Sequence, residues 1–396
     1  MYEEQILDAI KSDRDYLVAL RRYFHKHPEL SRKEFGTAKR IEEELDKLGL
    51  EHSRVGETGV YTEFKGELEG ERTIVLRADI DALPVKEEHE CEYRSEVEGV
   101  MHACGHDGHA ASLLAAVKFL STHKDLFGGT VRVTFQQAEE IGYGARLFVD
   151  GGYLDGADRT FGIHTESRMD VGTISLTPGP NNASVDYFRI TVTGKGAHVS
   201  VPNRGVDALY IASQIVVSAQ ALVTRRTDPT DSLLIGIGKL EAGRAYNVVA
   251  DLAVMEGTIR AISPNTRAQA KKELERLSIS IAESFGGSVA FEWKDFTSPL
   301  INDREASIEA QKVARRLFGE SAVITDRPYS LGGDDFAEYI IKVPGVYGFV
   351  GSGNDARPET RVAHHDCHFD IDEDCLVVAA AMDAAYAINF LNGTID

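Results

Sequence analysis

Residues 101–109 read MHACGHDGH, which places three histidines and a cysteine between two predicted strands. The strands are the apolar or alternating runs Thr73–Ala78 and Val131–Gln136, and the helical pattern Ala110–Leu120 lies between them. Strand, helix and strand at this spacing predict a largely parallel sheet of the α/β class. Because ligands of open α/β sheets bind beyond the carboxyl ends of the strands, we expect this segment at a functional edge of the sheet.

The other strand ends of this sheet also carry side chains that bind metals. In chain order they are Asp79 and Asp81, Glu139 and Glu140, His164 at the end of the strand Phe161–His164, and the run His364-His365-Asp366-Cys367-His368 after the strand Val346–Val350. Taken alone, each of these groups has a more common explanation than metal binding. The acidic pairs and the run at residues 364–368 are typical of solvated loops, and His164 is typical of a buried, hydrogen-bonded histidine. Carboxylates, imidazoles and a thiol gathered at one sheet edge are instead typical of a metal site.

The pattern changes near PGPNN, residues 178–182. Strand, helix, strand, strand, helix and strand then follow, which is the ferredoxin-like order. The predicted elements are Tyr187–Thr193, Asp207–Val223, Ser232–Leu240, Leu252–Ala261, Pro264–Phe285 and Val289–Trp293. The sequence therefore predicts a catalytic domain over residues 1–182 and 295–396, with a second domain inserted at residues 183–294.

The amino-terminal region is predicted to be helical. Apolar residues from Ile6 to Phe24 recur at helical spacing, and Pro28 ends that pattern. Ser31-x-x-Glu34 matches a capping box, so a further helix is expected to start there and to end at Gly49.

Composition and charge restrict the partners. The 396 residues are 43% apolar and 27% charged, as in soluble globular proteins of two or three domains. A net charge of −20 disfavours nucleic acid and anionic membranes as partners.

The cysteines and the terminal segments favour a cytoplasmic setting. None of the four cysteines forms a CxxC pair, which indicates reduced thiols. The acidic start lacks the basic and apolar regions of a signal peptide, so none is expected. The apolar stretch from Cys375 to Leu391 contains Asp383 and Asn389, which favours a packed helix over a membrane span.

Taken together, the motifs closely resemble the amidohydrolase branch of the metallo-aminoacylase and carboxypeptidase G superfamily. This branch includes hippurate hydrolase, indole-acetyl–amino acid hydrolase and N-acetyl-diaminopimelate deacetylase. The resemblance extends from about Leu20 to the end, and its motifs are HKHPELSRKEFGTAKRIEEEL, LRADIDALPVKE, GVMHACGHDGHAASLLAA, FQQAEEIGYGA, FGIH, ITVTGKGAH, GTIRA, LGGDDF and HHDCHFDIDED. It implies a mixed-sheet catalytic domain with two metal ions and an inserted ferredoxin-like domain that serves as lid and dimerisation module.

The resemblance also implies the roles of the residues at the sheet edge. Glu139 would be the general base and later the general acid, and Asp79 and Asp81 would orient the ligands. His102 and His109 are expected to be structural, and His364 and His368 are weaker ligand candidates than His365. The implied ligands of the two ions are Cys104, His106, Glu140, His164 and His365.

The resemblance assigns further residues to the substrate. His198 would stabilise the oxyanion, often in the active site of the partner subunit of a homodimer or tetramer. Asn247 and Arg260 would hold the substrate carboxylate, for which an arginine fork is suited. Gly332 and Gly333 would let the backbone approach the substrate.

The expected activity is hydrolysis of N-acyl amino acids to a carboxylate and a free amino acid. The two divalent ions are expected to be Zn²⁺ or Mn²⁺, with Co²⁺ or Ni²⁺ as substitutes in vitro, and a thiolate ligand favours Zn²⁺. A dipeptidase or carboxypeptidase with the same chemistry on a short peptide is the nearest alternative. A catalytically silent metal-binding relative should lack the base, yet Glu139 is present. A hydrolase with Cys104 as nucleophile would leave Glu140, His164 and His365 unexplained.

Overall fold

Alternating strands and helices fill residues 2–395, the part of the chain that this computed structural model describes. The strands are β1 (His52–Val55), β2 (Gly59–Lys65), β3 (Leu68–Asp79), β4 (Gly128–Gln136), β5 (Arg159–Asp170), β6 (Ile174–Ser175), β7 (Gly179–Asn182), β8 (Val185–Thr193), β9 (Leu233–Ala242), β10 (Leu252–Ala261), β11 (Ser288–Thr297), β12 (Leu300–Asn302), β13 (Val323–Ile324) and β14 (Gly345–Gly353). The α-helices are α1 (Tyr2–Ser12), α2 (Arg14–Lys26), α3 (Phe35–Lys47), α4 (His106–Thr122), α5 (Gly144–Asp150), α6 (Ala208–Ala221), α7 (Pro264–Ser284), α8 (Arg304–Phe318), α9 (Phe336–Lys342) and α10 (Cys375–Asn392).

The chain divides into two units. One unit holds the residues up to Gly179, Ile301–Pro328 and Asp335 onward, and the other holds Pro180–Leu300 and Tyr329–Asp334. The second unit thus covers the predicted insertion, residues 183–294, and also takes in a short segment from much later in the chain. That segment contains Gly332 and Gly333, which the sequence placed in the catalytic domain.

The first unit is built on an eight-stranded sheet with the order β1-β2-β4-β3-β5-β14-β6-β13. The four central strands β4, β3, β5 and β14 run parallel, as predicted. The sheet as a whole is mixed, because β1 pairs antiparallel with β2, β2 with β4, and the short β6 with β14, whereas β6 and β13 run parallel. Asp79 at the end of β3 is in register with Gln136 at the end of β4, so the loops after both strands leave from the same edge.

Two helices of the first unit are buried over nearly their whole length. Helix α10 is long and apolar enough to cross a membrane, but 89% of its residues lie buried inside the protein. It packs in the same hydrophobic core as α4, and Gly108 lets Ile371 and Leu376 come close to the α4 backbone. Helix α10 is therefore the core helix of this unit, which accounts for its apolar sequence.

The amino-terminal region differs from the prediction in two respects. The apolar face from Ile6 to Phe24 belongs to two helices, because the helical conformation is interrupted at Asp13, between α1 and α2. The predicted capping box is wrong, since α3 starts at Phe35 without a side-chain cap. Ser31 and Glu34 instead reach residues far along the chain, so tertiary hydrogen bonds replace the local ones that the pattern suggested.

The second unit contains the strand-helix-strand-strand-helix-strand segment β8, α6, β9, β10, α7 and β11. Its four strands form an antiparallel sheet with the order β11-β8-β10-β9. Apolar residues of both helices pack on one face of this sheet and form a core of their own. Asp207 caps α6 by accepting hydrogen bonds from the backbone N–H groups of Leu209 and Tyr210 at 3.0 and 3.2 Å.

Candidate metal centre

A glycine turn sets the positions of Cys104 and His106. Gly105, between them, has a φ of 91°, in the left-handed region that favours glycine. A methyl group on Gly105 would lie 2.3 Å from Oγ1 of Thr165. Only glycine therefore fits this turn, and α4 begins at His106 directly after it.

Backbone carbonyl groups orient two histidines of the centre. Nδ1 of His106 donates to the carbonyl oxygen of Asp81 at 2.9 Å, and Nδ1 of His164 donates to that of Thr165 at 2.6 Å. Because a carbonyl oxygen only accepts, both rings carry a proton on Nδ1, and the lone pair of the neutral ring lies on Nε2. This is the usual arrangement of histidines that bind a metal through Nε2.

The five predicted ligands come together in the first unit. Nε2 of His164 lies 3.5 Å from Sγ of Cys104, and Oε1 of Glu140 lies 3.5 Å from Nε2 of His365 and 3.8 Å from Nε2 of His106. Within each of the groups Cys104–His106–His164 and Cys104–Glu140–His365, one donor atom per residue lies within 4.8 Å of the others. Thiol, imidazole and carboxylate donors at this spacing suit divalent transition-metal ions.

Two buried atoms of the cluster lack a hydrogen-bond partner among the described residues. They are Nε2 of His106 and Oε1 of Glu140. Buried polar atoms nearly always have a hydrogen-bond partner or a bound ligand. These two atoms lie 3.8 Å apart without one in the described part of the chain, which indicates a binding site between them. Once His106 has lost its second proton, both atoms offer a lone pair, so the residues fit a cation there.

Asp81 holds the turn that carries Glu139 and Glu140. Its carboxylate accepts hydrogen bonds from the backbone N–H groups of Glu139 and Glu140, both at 3.1 Å, and from the hydroxyl of Ser31 at 2.6 Å. Ala138, just before the turn, has a φ of 54° and donates its N–H to Glu34 at 2.9 Å. A left-handed alanine is strained, and such strain is commonly kept at functional sites.

Asp79 belongs to a separate hydrogen-bonded group behind the ligands. It is bound to Nδ1 of His109 and to Arg77, both at 2.5 Å, and lies 3.8 Å from Nε2 of His106. His109 also accepts the backbone N–H of Thr165 through Nε2 at 2.9 Å. Both nitrogens of His109 are therefore engaged, so His109 supports Asp79 and the Thr165 backbone.

The carboxylates give the centre a strong affinity for positive charge. Burial opposes protonation of His106, but Asp79, Asp81 and Glu140 outweigh it and raise its pKa to about 10. Burial, reinforced by Glu140 and Glu139, raises the pKa of the Cys104 thiol well above its usual range. A divalent cation would have to displace these protons, as is general for metal sites with thiol and histidine ligands.

The remaining histidines lie around the cluster. His364 is half-buried with its ring 5.3 Å from that of His164, while the side chain of His368 is 54% exposed. His102 is buried, and neither ring nitrogen has a hydrogen-bond partner among the described residues. Burial lowers the pKa of His102 to about 4, so the ring is neutral.

The residues predicted to bind the substrate lie in the second unit, where His198 is close to Asn247 and Arg260 is close to Gly332. His198 forms a β-bridge with Val248, and the N–H of Val199 donates to the carbonyl oxygen of Asn247 at 3.1 Å. Nη1 of Arg260 donates to the carbonyl oxygen of Leu331 at 3.4 Å, next to Gly332. Burial lowers the pKa of Arg260, which remains a cation at neutral pH.

Sequence reasoning missed the residues that support the ligand loops. Arg21 is fully buried and binds Asp107, Asp370 and Glu373, at 2.9, 2.7 and 3.4 Å. Ser31 and Glu34 lie in the motif HKHPELSRKEFGTAKRIEEEL, where the sequence indicated a family signature and a capping box, and Arg21 lies before that motif. No local pattern marks Arg21 as part of such a network, because its partners are distant in sequence.

Comparisons with known proteins agree with the geometry. The sequence model of "Peptidase family M20/M25/M40" matches residues 75–389. The thermostable carboxypeptidase 2 of Saccharolobus solfataricus is 37% identical over 394 residues, which is 98% of this chain and 99% of that protein. The N-acetyl-L-cysteine deacetylase of Bacillus subtilis is 37% identical over 92% of this chain and 85% of its own.

A solved structure is also similar over nearly the whole chain. It is the YXEP protein of Bacillus subtilis, a dinuclear metal-binding peptidase from the M20 family. The TM-score is 0.84 at 34% sequence identity, with 96% of this chain and 99% of that chain covered. The matches confirm the resemblance drawn from the motifs and the expectation of a hydrolase.

Proposed function

This chain belongs to the peptidase family M20/M25/M40, and we propose that it hydrolyses the amide bond of N-acyl amino acids with the help of two divalent metal ions. The observation that carries the proposal is the cluster of Cys104, His106, Glu140, His164 and His365, whose donor atoms face one another around unpaired buried acceptors. These five residues would hold the ions. When bound, the ions would polarise the scissile carbonyl and lower the pKa of the attacking water.

Glu139 takes the proton of the attacking water in this proposal and later gives it to the leaving nitrogen. Donor atoms of Glu139, Glu140 and His106 lie within 4.8 Å of one another, so Glu139 stands beside the ligands. The N–H groups of Glu139 and Glu140 both donate to Asp81, which fixes the backbone from which the two side chains extend.

The lid residues act on the substrate. The N–H of Ser200 donates to Nδ1 of His198 at 3.1 Å, so the proton of the neutral ring lies on Nε2. His198 is exposed and can therefore donate from Nε2 to the oxyanion of the tetrahedral intermediate. Arg260 and Asn247 bind the carboxylate of the amino-acid part of the substrate.

Zn²⁺ or Mn²⁺ are the proposed ions, with Zn²⁺ favoured by the thiol of Cys104. We propose a homodimer in which the second unit is the lid and dimerisation module, acting in the cytoplasm. A carboxypeptidase or dipeptidase activity is the second candidate, because a relative 37% identical over 98% of this chain is a carboxypeptidase. Both activities need a free carboxylate next to the scissile amide.

A substrate panel with metal analysis on the same sample tests the proposal. It contains N-acetyl, N-benzoyl and longer N-acyl amino acids, dipeptides, and each compound again with its carboxylate blocked as an amide. We expect the highest kcat/KM on an N-acyl amino acid with a free carboxylate, and loss of activity on chelation that Zn²⁺, Mn²⁺ or Co²⁺ reverses. Higher kcat/KM on dipeptides would establish the second candidate, and full activity of a metal-free sample would refute both.

A further inference from the structure

A second group of metal-binding side chains lies outside the centre described above. Glu88, Cys367 and His368 offer a carboxylate, a thiol and an imidazole, and one donor atom of each lies within 4.8 Å of the others. Sγ of Cys367 lies 3.2 Å from Nδ1 of His368, and Oε2 of Glu88 lies 3.9 Å from its Nε2. None of the three is among the ligands proposed for the catalytic ions.

Asp366 prepares His368 to bind a cation. Its Oδ1 accepts from the backbone N–H of His368 at 2.9 Å and lies 3.2 Å from Nδ1 of the ring. Because a carboxylate only accepts, the proton of the neutral ring is on Nδ1, and Nε2 keeps its lone pair on the side of Glu88. A carboxylate behind one nitrogen and a free lone pair on the other is the arrangement of metal-binding histidines.

The backbone joins the two segments that carry these ligands. The N–H groups of Glu88 and His89 both donate to the carbonyl oxygen of Cys367, at 2.8 and 3.3 Å. The three donors therefore start from positions that are already fixed relative to one another, which reduces the conformational entropy lost on binding. The side chains of Glu88 and His368 are 59% and 54% exposed, so an ion can reach them from solvent.

We propose that Glu88, Cys367 and His368 form a third metal site, which binds one thiophilic divalent ion of the Zn²⁺, Co²⁺ and Cd²⁺ class. A thiolate, an imidazole and a carboxylate make up three positions of a tetrahedral site, and water takes the fourth. Oxygen-preferring ions such as Mn²⁺ and Mg²⁺ bind poorly to such a set. Since Cys367 follows His365 by two residues, an ion at this site restrains the loop that carries a proposed catalytic ligand.

Equilibrium dialysis of the full chain against Zn²⁺, followed by metal analysis, tests the site. We expect Cys367→Ser and His368→Ala each to bind one ion fewer per chain than the wild type. Glu88→Gln should lower the affinity for the same ion. Two matched controls should bind as many ions as the wild type: Glu90→Gln makes the same charge change two residues away, and Cys91→Ser removes another partly exposed thiol from the same segment.

A titration with Co²⁺ gives a second readout that does not depend on activity. The last equivalent to bind should add a thiolate-to-cobalt absorption band that is absent in Cys367→Ser and present in Cys91→Ser. Binding at this site can be distinguished from binding at the catalytic centre, because Glu140→Gln should lower the affinity for the central ions and leave the affinity for this ion unchanged. Equal stoichiometry and equal spectra for the wild type, Cys367→Ser and His368→Ala would overturn the proposal.

Discussion

Nε of Arg21 donates a hydrogen bond to Oδ2 of Asp107 at 2.9 Å, and both side chains are completely buried. Asp107 directly follows the proposed ligand His106. Nη2 of the same guanidinium binds Asp370 at 2.7 Å, five residues after the proposed ligand His365. One arginine of α2 thus joins the two chain segments that supply these histidines.

Replacement of Arg21 should destabilise the protein strongly. Arg21→Ala removes the guanidinium from the buried carboxylates of Asp107 and Asp370, and breaking a buried ion pair typically costs about 3–5 kcal/mol. Arg21→Lys should recover only part of this, because an ammonium group cannot form the same fork of hydrogen bonds. Urea unfolding of the metal-free protein measures both. As a control, Arg14→Ala breaks an exposed pair with Asp374 and should cost at most about 1 kcal/mol; equal losses for Arg14 and Arg21 would contradict the prediction.

Asp370 should make stability depend on pH in acid. Burial would raise its pKa, but Arg21, with His89 and Tyr93, outweighs burial and holds the pKa of Asp370 well below its usual range. A carboxyl with a depressed folded pKa contributes its full stability above the unfolded value of about 3.9, and the contribution declines as the pH falls below it. Asp370→Asn should therefore lower the free energy of unfolding most near pH 6–7. The difference from the wild type should shrink steadily below about pH 4, and a constant difference across this range would show that the charge of Asp370 is not the cause.

Asp81→Asn should reduce turnover by about 10- to 100-fold, as replacement of groups that orient metal ligands commonly does. An amide at this position presents an N–H₂ group to one of the backbone N–H groups of Glu139 and Glu140, which now both donate to the carboxylate. The turn must then shift, and both glutamates shift with it. Ser31→Ala removes only one hydrogen bond to Asp81 and should have a much smaller effect on kcat. Crystal structures of both variants, with kcat and metal content, would show whether the turn moves.

The sequence could predict the side chains at the centre because they follow strand ends in motifs that stay local. Cys104 and His106 share one turn, and Glu139 and Glu140 are neighbours. It could not predict contacts between distant segments, such as Ser31 with Asp81 or Arg21 with Asp370, since hydrogen-bonding partners 50 to 349 residues apart leave no periodic pattern. The capping-box interpretation failed for this reason. The direction of the strands at the sheet edges could not be predicted either, because the sequences of short strands such as β1 and β6 are compatible with both parallel and antiparallel pairing.

Glu139→Gln and Glu140→Gln should behave differently although the residues are adjacent. Glu139→Gln should keep its metal ions and lose turnover by about 10²- to 10⁴-fold, because a glutamine cannot take the proton of the attacking water. Glu140→Gln should lose metal affinity as well, since Oε1 of Glu140 lies 3.5 Å from Nε2 of His365 and 3.8 Å from Nε2 of His106. Metal content and kcat measured on the same samples distinguish the two. Near-normal turnover of Glu139→Gln would mean that the roles of the neighbours are assigned wrongly.

His198 allows a test of whether each active site is built from two chains. His198→Ala should lose turnover with its metal content intact, by about 10²- to 10³-fold for the loss of an oxyanion donor. If His198 acts in the partner's site, a heterodimer of His198→Ala and Glu139→Gln chains contains one site with both residues wild type and one with neither. Equal random mixing makes half of the dimers mixed, so activity should recover to about a quarter of the wild-type value, although each variant alone is nearly inactive.

The mixing experiment needs two controls. Subunit exchange is measured independently with two differently tagged chains. A mixture of Glu139→Gln with Glu140→Gln should remain inactive, because the two residues lie in the same unit and serve the same site, so every site of a mixed dimer carries one of the changes. If His198 serves its own chain, every site in the mixed dimer lacks either His198 or Glu139, and no activity returns. Demonstrated exchange without recovery would therefore rule out a site shared between subunits while leaving the metal ligands and Glu139 unaffected.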